Sequence, residues 1–372
     1  VVLFHKRTIF LITSILLGLI TLPNIGLVLM TSAKAQTTNN VPSRKTPDVK
    51  PSELTPAYPV TPPPPQVDPL PNQRTIEEKS IETDYRVSNL LKDFQGNLWV
   101  GSWRGLSRID PKTGKILARV SLPSVAIGAL AQDKVGRLWV GTYEGLMRVD
   151  SRTNEITAQN LFLPSKRVLS MLVDKRGYLW TGTDSGLALI SPDEGLIMTT
   201  VKNLPGVSAN ALTLDAEGQI WVGTLDGLVR VNTANAYIMK RIDGLPGTTV
   251  QALAISPEGL IWAGMANNLL VIDPKTDKVL RSVTPLRGRN VTTVRFAQDG
   301  SVWVGTTNGL LRLNPNTGAV LDQVAGLPSS RVLALVPDMG NKLWIGTSEG
   351  LAWLMPKMNG AKPHLAFSRA VK

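Results

Sequence analysis

From residue 75 onward, short apolar runs alternate with polar positions and are broken by Asp, Gly and Pro, a pattern of strands and turns rather than helices. The pattern repeats. Tryptophans fall at 99, 139, 180, 221, 262, 303 and 344, spaced by 40 residues once and 41 five times. Each stands in a copy of one phrase: Asp93-Phe94-Gln95-Gly96-Asn97-Leu98-Trp99-Val100-Gly101, then Gly105-Leu106-Ser107-Arg108-Ile109-Asp110. Each unit predicts four strands. The first is a V-x-x-L run such as 168–172, and an Asp-x-x-Gly turn leads to the second, Leu-Trp-Val-Gly. A tight loop ending in Gly-Leu opens the third, such as 227–231. A turn such as Asp110-Pro111-Lys112-Thr113-Gly114 opens the fourth, 116–122.

Seven units of four strands predict an all-β fold, a seven-bladed β-propeller over residues 73–356 with a C-terminal tail at 357–372. The segment 75–83 aligns with the fourth-strand position that precedes each unit, so it is expected to complete blade 7; 365–370 is the alternative. Asn268 replaces the loop glycine of the fifth unit and is expected in the left-handed region. The repeated Trp99, Trp139, Trp180, Trp221, Trp262, Trp303 and Trp344 are expected to form blade core. Burying ~150–250 Å² each gives roughly 4–6 kcal/mol per tryptophan as an upper bound. Asp93, Asp133, Asp174, Asp215 and Asp338 recur before the tryptophans; they read as turn caps rather than a metal ring, because Ser256 and Ala297 take that place in two units.

The phrase G-x-L-W-V-G-T-x-x-G-L-x-R resembles the two-component regulator propeller repeat over roughly residues 75–356. The resemblance implies a propeller held outside the membrane, of a kind that takes part in sensing carbohydrate fragments and is fused to a membrane-spanning kinase. The repeat is also similar to that of the streptogramin lyases, seven-bladed enzymes that use a propeller histidine with magnesium. His5 and His364 both lie outside the repeats, so no such residue carries over.

Composition narrows the chemistry. The 372 residues carry a net charge of +12, 43% hydrophobic and 18% charged residues, nine Trp, two His and no Cys. That excludes disulfides, thiolate metal sites and a cysteine nucleophile. Residues 1–35 read as a signal peptide, with His5-Lys6-Arg7 before an apolar run and Ala33-Lys34-Ala35 before Gln36; an uncleaved anchor is the alternative. Residues 36–72, with Pro62 to Pro65 consecutive, read as a disordered Pro/Thr-rich linker. The protein is thus expected to be periplasmic or extracellular, and the folded part a monomer that binds no nucleic acid.

Candidate binding residues come from comparing the units with one another. The Asp-x-x-Gly and Asp-Pro-x-Thr-Gly turns share one face and hardly vary. The loops on the other face do, and that is where specificity can reside. Four and five residues beyond the tryptophans stand Trp103 and Arg104, Tyr143 and Glu144, Asp184, Asp226, Asn308 and Glu349. Before the first strands stand Tyr85, Arg86, Lys166, Arg167, Arg289 and Arg331. Aromatic platforms beside arginines suit sugar rings and carboxylates or sulfates. The alternative is a set of solvated loop tips without a ligand. The expected function is an exported, non-catalytic recognition module that needs no cofactor. Its partner would be a carbohydrate, an anionic ligand, or a membrane sensor or envelope protein. A lyase or lactonase using carboxylates and a divalent ion, and an envelope assembly scaffold, are the alternatives.

Overall fold

The structure is a computed structural model that describes residues 85–122, 126–160 and 162–368. The chain divides into two units, Val1–Asn72 and Gln73–Lys372, and the described residues all belong to the second. The expected signal (1–35), linker (36–72) and strand at 75–83 lie outside the described residues. No helix among the described residues is long and apolar enough to cross a membrane.

Seven four-stranded antiparallel sheets follow one another along the chain, each built from four consecutive strands. Blade 1 consists of Val87–Lys92, Leu98–Ser102, Gly105–Ile109 and Ile116–Val120. The seven first strands stand side by side around a central channel, and that of blade 1 packs against that of blade 7. The Trp-Val-Gly phrase explains how closely they pack. A Cβ on Gly141 would stand 2.3 Å from Val168 of blade 3, and one on Gly346 would stand 2.6 Å from the Val87 carbonyl of blade 1. The contact that joins one blade to the next therefore also closes the ring.

The tryptophans are core. Six of the seven are no more than 1% exposed, and Trp303 is 8% exposed. The repeated aspartates do two jobs in blades 1 to 4. One carboxylate oxygen accepts the Nε1–H of Trp99, Trp139, Trp180 or Trp221 at 2.9–3.1 Å. The other accepts the backbone N–H four residues on, at 2.7–3.0 Å. Arginines of the third strand add a further layer. Arg108, Arg148, Arg230 and Arg312 lie 5.5–5.7 Å above Trp99, Trp139, Trp221 and Trp303. Arg108, Arg148 and Arg230 also donate to carbonyls of the following blade: Ser151, Asp193 and Pro274.

The strands of blade 7 among the described residues are Val332–Val336, Leu343–Thr347, Gly350–Leu354 and Lys362–Pro363, the last pairing with Ala352 and Trp353. The segment 75–83 lies outside the described residues; of the alternative segment 365–370, residues 365–367 form a 3-10 turn rather than a strand. Spacing could not separate these possibilities, because every repeat has a fourth-strand position on either side of it. The tail then locks the seam. Phe367 is buried with Val87, Leu98 and Trp344, and His364 Nε2 lies 2.8 Å from the Gly114 carbonyl of blade 1.

Two further expectations fail. Asp338 does not cap its tryptophan: Trp344 Nε1 donates to the Met339 carbonyl, while Asp338 accepts from Gln298 N of blade 6. Asn268 is absent from the left-handed residues. It is buried, and its side-chain oxygen accepts from Leu269 N and Ser282 Oγ, so the amide holds the turn by hydrogen bonding rather than by backbone conformation.

Candidate functional site

The frame of the loop face is set by hydroxyls. Ser102 and Thr142, Thr183, Thr224, Thr306 and Thr347 each donate to the carbonyl of the glycine three residues on, at 2.8–3.1 Å. In five of these loops the threonine oxygen also accepts the N–H two residues on. The backbone is pinned from within, which leaves the tip side chains to point away. Main-chain bonds then tie four of the tips to the residue before a first strand. Trp103 N donates to Arg86 O, Tyr143 N to Ala126 O, Thr307 N to Asn290 O, and Ser348 N to Arg331 O. The two variable positions singled out in the sequence are therefore neighbours.

Arg86, Trp103 and Tyr143 line a small cavity of about 40 Å³ between blades 1 and 2, together with Ser88, Ala126 and Ile127. Arg86, Tyr143 and Arg331 also line the mouth of the channel, a cavity of about 320 Å³ to which Asn89, Gln251, Thr292 and Ser348 contribute polar groups. Arg167 of blade 3 stacks 4.6 Å above the Tyr143 ring, and Arg104 stacks 5.7 Å above Tyr85. Trp103 is 43% and Tyr143 40% exposed. The cluster is a strip of alternating rings and guanidinium groups that runs from blade 1 to blade 3 and borders the channel mouth.

The other candidates stay apart from it. Lys166, Asp226, Asn308 and Glu349 are exposed tips, and neither cavity is lined by them or by Glu144, Asp184 or Arg289. Among the described residues no three His, Cys, Asp or Glu groups come close enough to hold a metal ion. His364 serves the seam, with its ring between Trp344 and Phe367.

Two residues at the channel and loop face went unnoticed in the sequence. Phe162, 89% exposed, precedes Lys166 and Arg167 in the loop between blades 2 and 3. Arg295 points into the channel. Both were visible in principle: Phe162 as an aromatic in a variable loop, and Arg295 as the charged member of an otherwise uncharged position, eight residues before each tryptophan.

The turn face holds carboxyls that ionise unusually readily. Hydrogen bonds from the backbone N–H of Lys112, Arg152 and Lys275 hold the carboxyls of Asp110, Asp150 and Asp273 below their ordinary value. Burial pushes Asp174 upward, but hydrogen bonds from Arg176, Trp180 and Tyr178 N outweigh it and leave that carboxyl low as well. A cavity of about 150 Å³ between blades 6 and 7 opens on this face beside Ala297 and Trp303, and the Arg312–Asp299 pair lies in its wall.

Three segments, 121–144, 163–185 and 326–349, match the two component regulator propeller model. Residues 199–327 match a domain of unknown function. No curated protein matches the chain. Among solved structures, the chain is similar to the extracellular domain of a B. thetaiotaomicron protein assigned as a one-component system, with TM-score 0.63 and 20% identity over 73% of this chain. A second structure of that domain, assigned as a hybrid two-component system, gives TM-score 0.62 at the same identity. The chain covers 38% of the length of each. It is also similar to virginiamycin B lyase from Staphylococcus aureus, with TM-score 0.60 and 16% identity over 72% of this chain and 93% of the lyase. Three of the seven repeats thus match the two-component regulator propeller model, and likeness at these identities establishes the propeller fold.

Proposed function

We propose that the protein is an exported recognition module whose loop face binds an anionic carbohydrate over blades 1 to 3, without catalysing its breakdown. The carrying observation is the strip formed by Arg86, Trp103, Tyr143 and Arg167, with two half-exposed aromatic rings between guanidinium groups at the edge of a polar channel mouth. A sugar ring stacks on an aromatic face, while a uronate or sulfate takes the arginine fork. Kinship with propellers described as extracellular domains of sensor systems supports a sensing role in which a separate or attached partner carries the signal. The leader and tether read from residues 1–72 support export and a folded part held away from a surface.

The test is a panel of neutral, uronate-bearing and sulfated oligosaccharides presented to the full chain. Acidic members bind, and both Trp103→Ala and Arg167→Ala weaken them by about tenfold, the equivalent of about 1.4 kcal/mol. Equal binding of neutral and acidic sugars, or indifference to both substitutions, defeats the reading. Turnover of any panel member with a divalent ion would favour the lyase-like alternative.

A further inference from the structure

The core tryptophans pair in register with one residue of each first strand. Around the ring these partners are Leu91, Ala131, Leu172, Thr213, Ala254, Arg295 and Val336. Six are uncharged and one is an arginine. Arg295 is the next-to-last residue of Val291–Phe296, so it lies at the turn-face end of the channel, far along the strand from the mouth lined by Thr292. The channel cavity has a volume of about 600 Å³, and Arg295 is the one charged residue among the described residues that line it.

Several polar side chains of the wall are already engaged. Ser88 and Asn89 donate to the Ile127 carbonyl, Ser170 to Ala209, Asn210 to Val250 and Thr292 to Val332, so the polar side chains of one first strand bind the backbone near the next. Other arginines have carboxylate partners: Arg137 with Asp133, Arg176 with Asp174, Arg230 with Asp215 and Arg312 with Asp299. Arg295 makes one hydrogen bond, from one terminal nitrogen to the carbonyl of Val294 at 2.8 Å, and no ion pair with any described residue. Its side chain is exposed to the channel, whose walls surround it with protein, and the desolvation they impose pulls the guanidinium below its ordinary value. A cation facing a protein-walled channel without a counter-charge among the described residues is stabilised by an anion from outside, and the planar fork selects oxyanions.

We infer that Arg295 forms a channel site for a small oxyanion: a sulfate, a phosphate or the carboxylate of a small acid. The site is separate from the loop-face strip and stands or falls without it.

The experiment is a titration of the full chain with sodium sulfate, phosphate or acetate against chloride at fixed ionic strength, read by calorimetric binding and by thermal unfolding. At least one oxyanion raises the unfolding temperature of the native chain saturably; which one does so separates sulfate or phosphate from carboxylate. Arg295→Leu, the residue that Leu91 and Leu172 supply at the same ring position, lowers that affinity by about tenfold or more. Arg295→Lys, which keeps the charge but loses the fork, falls between the two and serves as the readout if Arg295→Leu does not fold. A double substitution of Arg167 and Arg331 to Ala leaves the response intact. The inference is overturned if the native chain shows no saturable response, if Arg295→Leu and Arg295→Lys respond like the native chain, or if the loop-face double variant abolishes it. The sugar panel above is insensitive to Arg295→Leu, so failure of one reading does not mimic failure of the other.

Discussion

The two faces of the ring are made from the same repeat and treat their polar groups in opposite ways. On the turn face, Asp215 accepts from Trp221 and from Gln219 N while Arg230 pairs with it and reaches the next blade. The Trp221 Nε1–H, the Gln219 N–H and a terminal nitrogen of Arg230 there share one acceptor set by the repeat itself. On the loop face the same economy stops at the backbone: Thr142 pins its loop, and the side chains beyond it, Tyr143 and Glu144, are left exposed. One face spends its chemistry on holding blades together and the other keeps it available. A single repeat can therefore hold its frame constant while its tips vary, which is what a family of binding surfaces on one scaffold requires.

The widest gap between the faces should appear in paired tryptophan substitutions. Trp221→Ala removes a fully buried ring and costs about 3–5 kcal/mol of unfolding free energy, measured by denaturant titration. Trp103→Ala stays within about 0.5 kcal/mol of the native chain in the same titration. Comparable losses at both positions would erase the distinction. A narrower contrast lies within the turn face. Asp215→Ala strands the Trp221 Nε1–H and costs about 1–3 kcal/mol, whereas Asp338→Ala, whose aspartate caps no tryptophan, changes stability by less than about 1 kcal/mol.

Acid tests the same face through its low carboxyls. Asp174 sits below its ordinary value when folded, so the stability it contributes is complete above about pH 3.9, the unfolded value, and is lost as the pH falls through the lower folded value. The unfolding temperature of the native chain therefore drops steeply below about pH 4, and Asp174→Asn flattens part of that drop. The smallest effect belongs to the loop face. Arg167→Ala removes one exposed cation–π contact, worth about 0.5–1 kcal/mol at most, so its consequence should register in ligand binding far more than in stability.

Most of the architecture could be read from residue order. Tryptophan spacing, the turn aspartates and the Gly-Leu loops specify seven four-stranded blades, because each is a local signal that recurs in all or most of the seven units. What resisted were the places where the chain leaves the repeat. Lys362–Pro363 carries no strand-like alternation, and Asn268 does its work through a side chain where its counterparts use glycine. The site was half legible. Comparison between units brought forward Trp103, Tyr143, Arg86 and Arg167, which the fold gathers at one edge of the channel. The same comparison gave equal weight to Asp184, Asp226 and Glu349, which line neither cavity at that edge, since position within a repeat carries no information about which side chains in the ring share a cavity. Arg295 departs from its repeat within a strand rather than a loop, where comparison of the variable loops does not reach it.

The seam between blades 7 and 1 bears on how the protein is made. Each of the first six blades is complete in four successive strands, so on a growing chain each can form and dock on its predecessor as it emerges, N-terminal first. The seventh is built the same way but must also close the ring. Its last strand, and the Phe367 and His364 that fasten it to blade 1, are encoded within about the final ten residues of the described chain. Until those residues leave the ribosome, the first strand of blade 1 and the last sheet remain open flanks of an arc, exposing Val87 and Leu98 to any other nascent chain. Closure of the ring therefore waits on the last-made part of the propeller, and it removes the open flanks through which the molecule could associate wrongly.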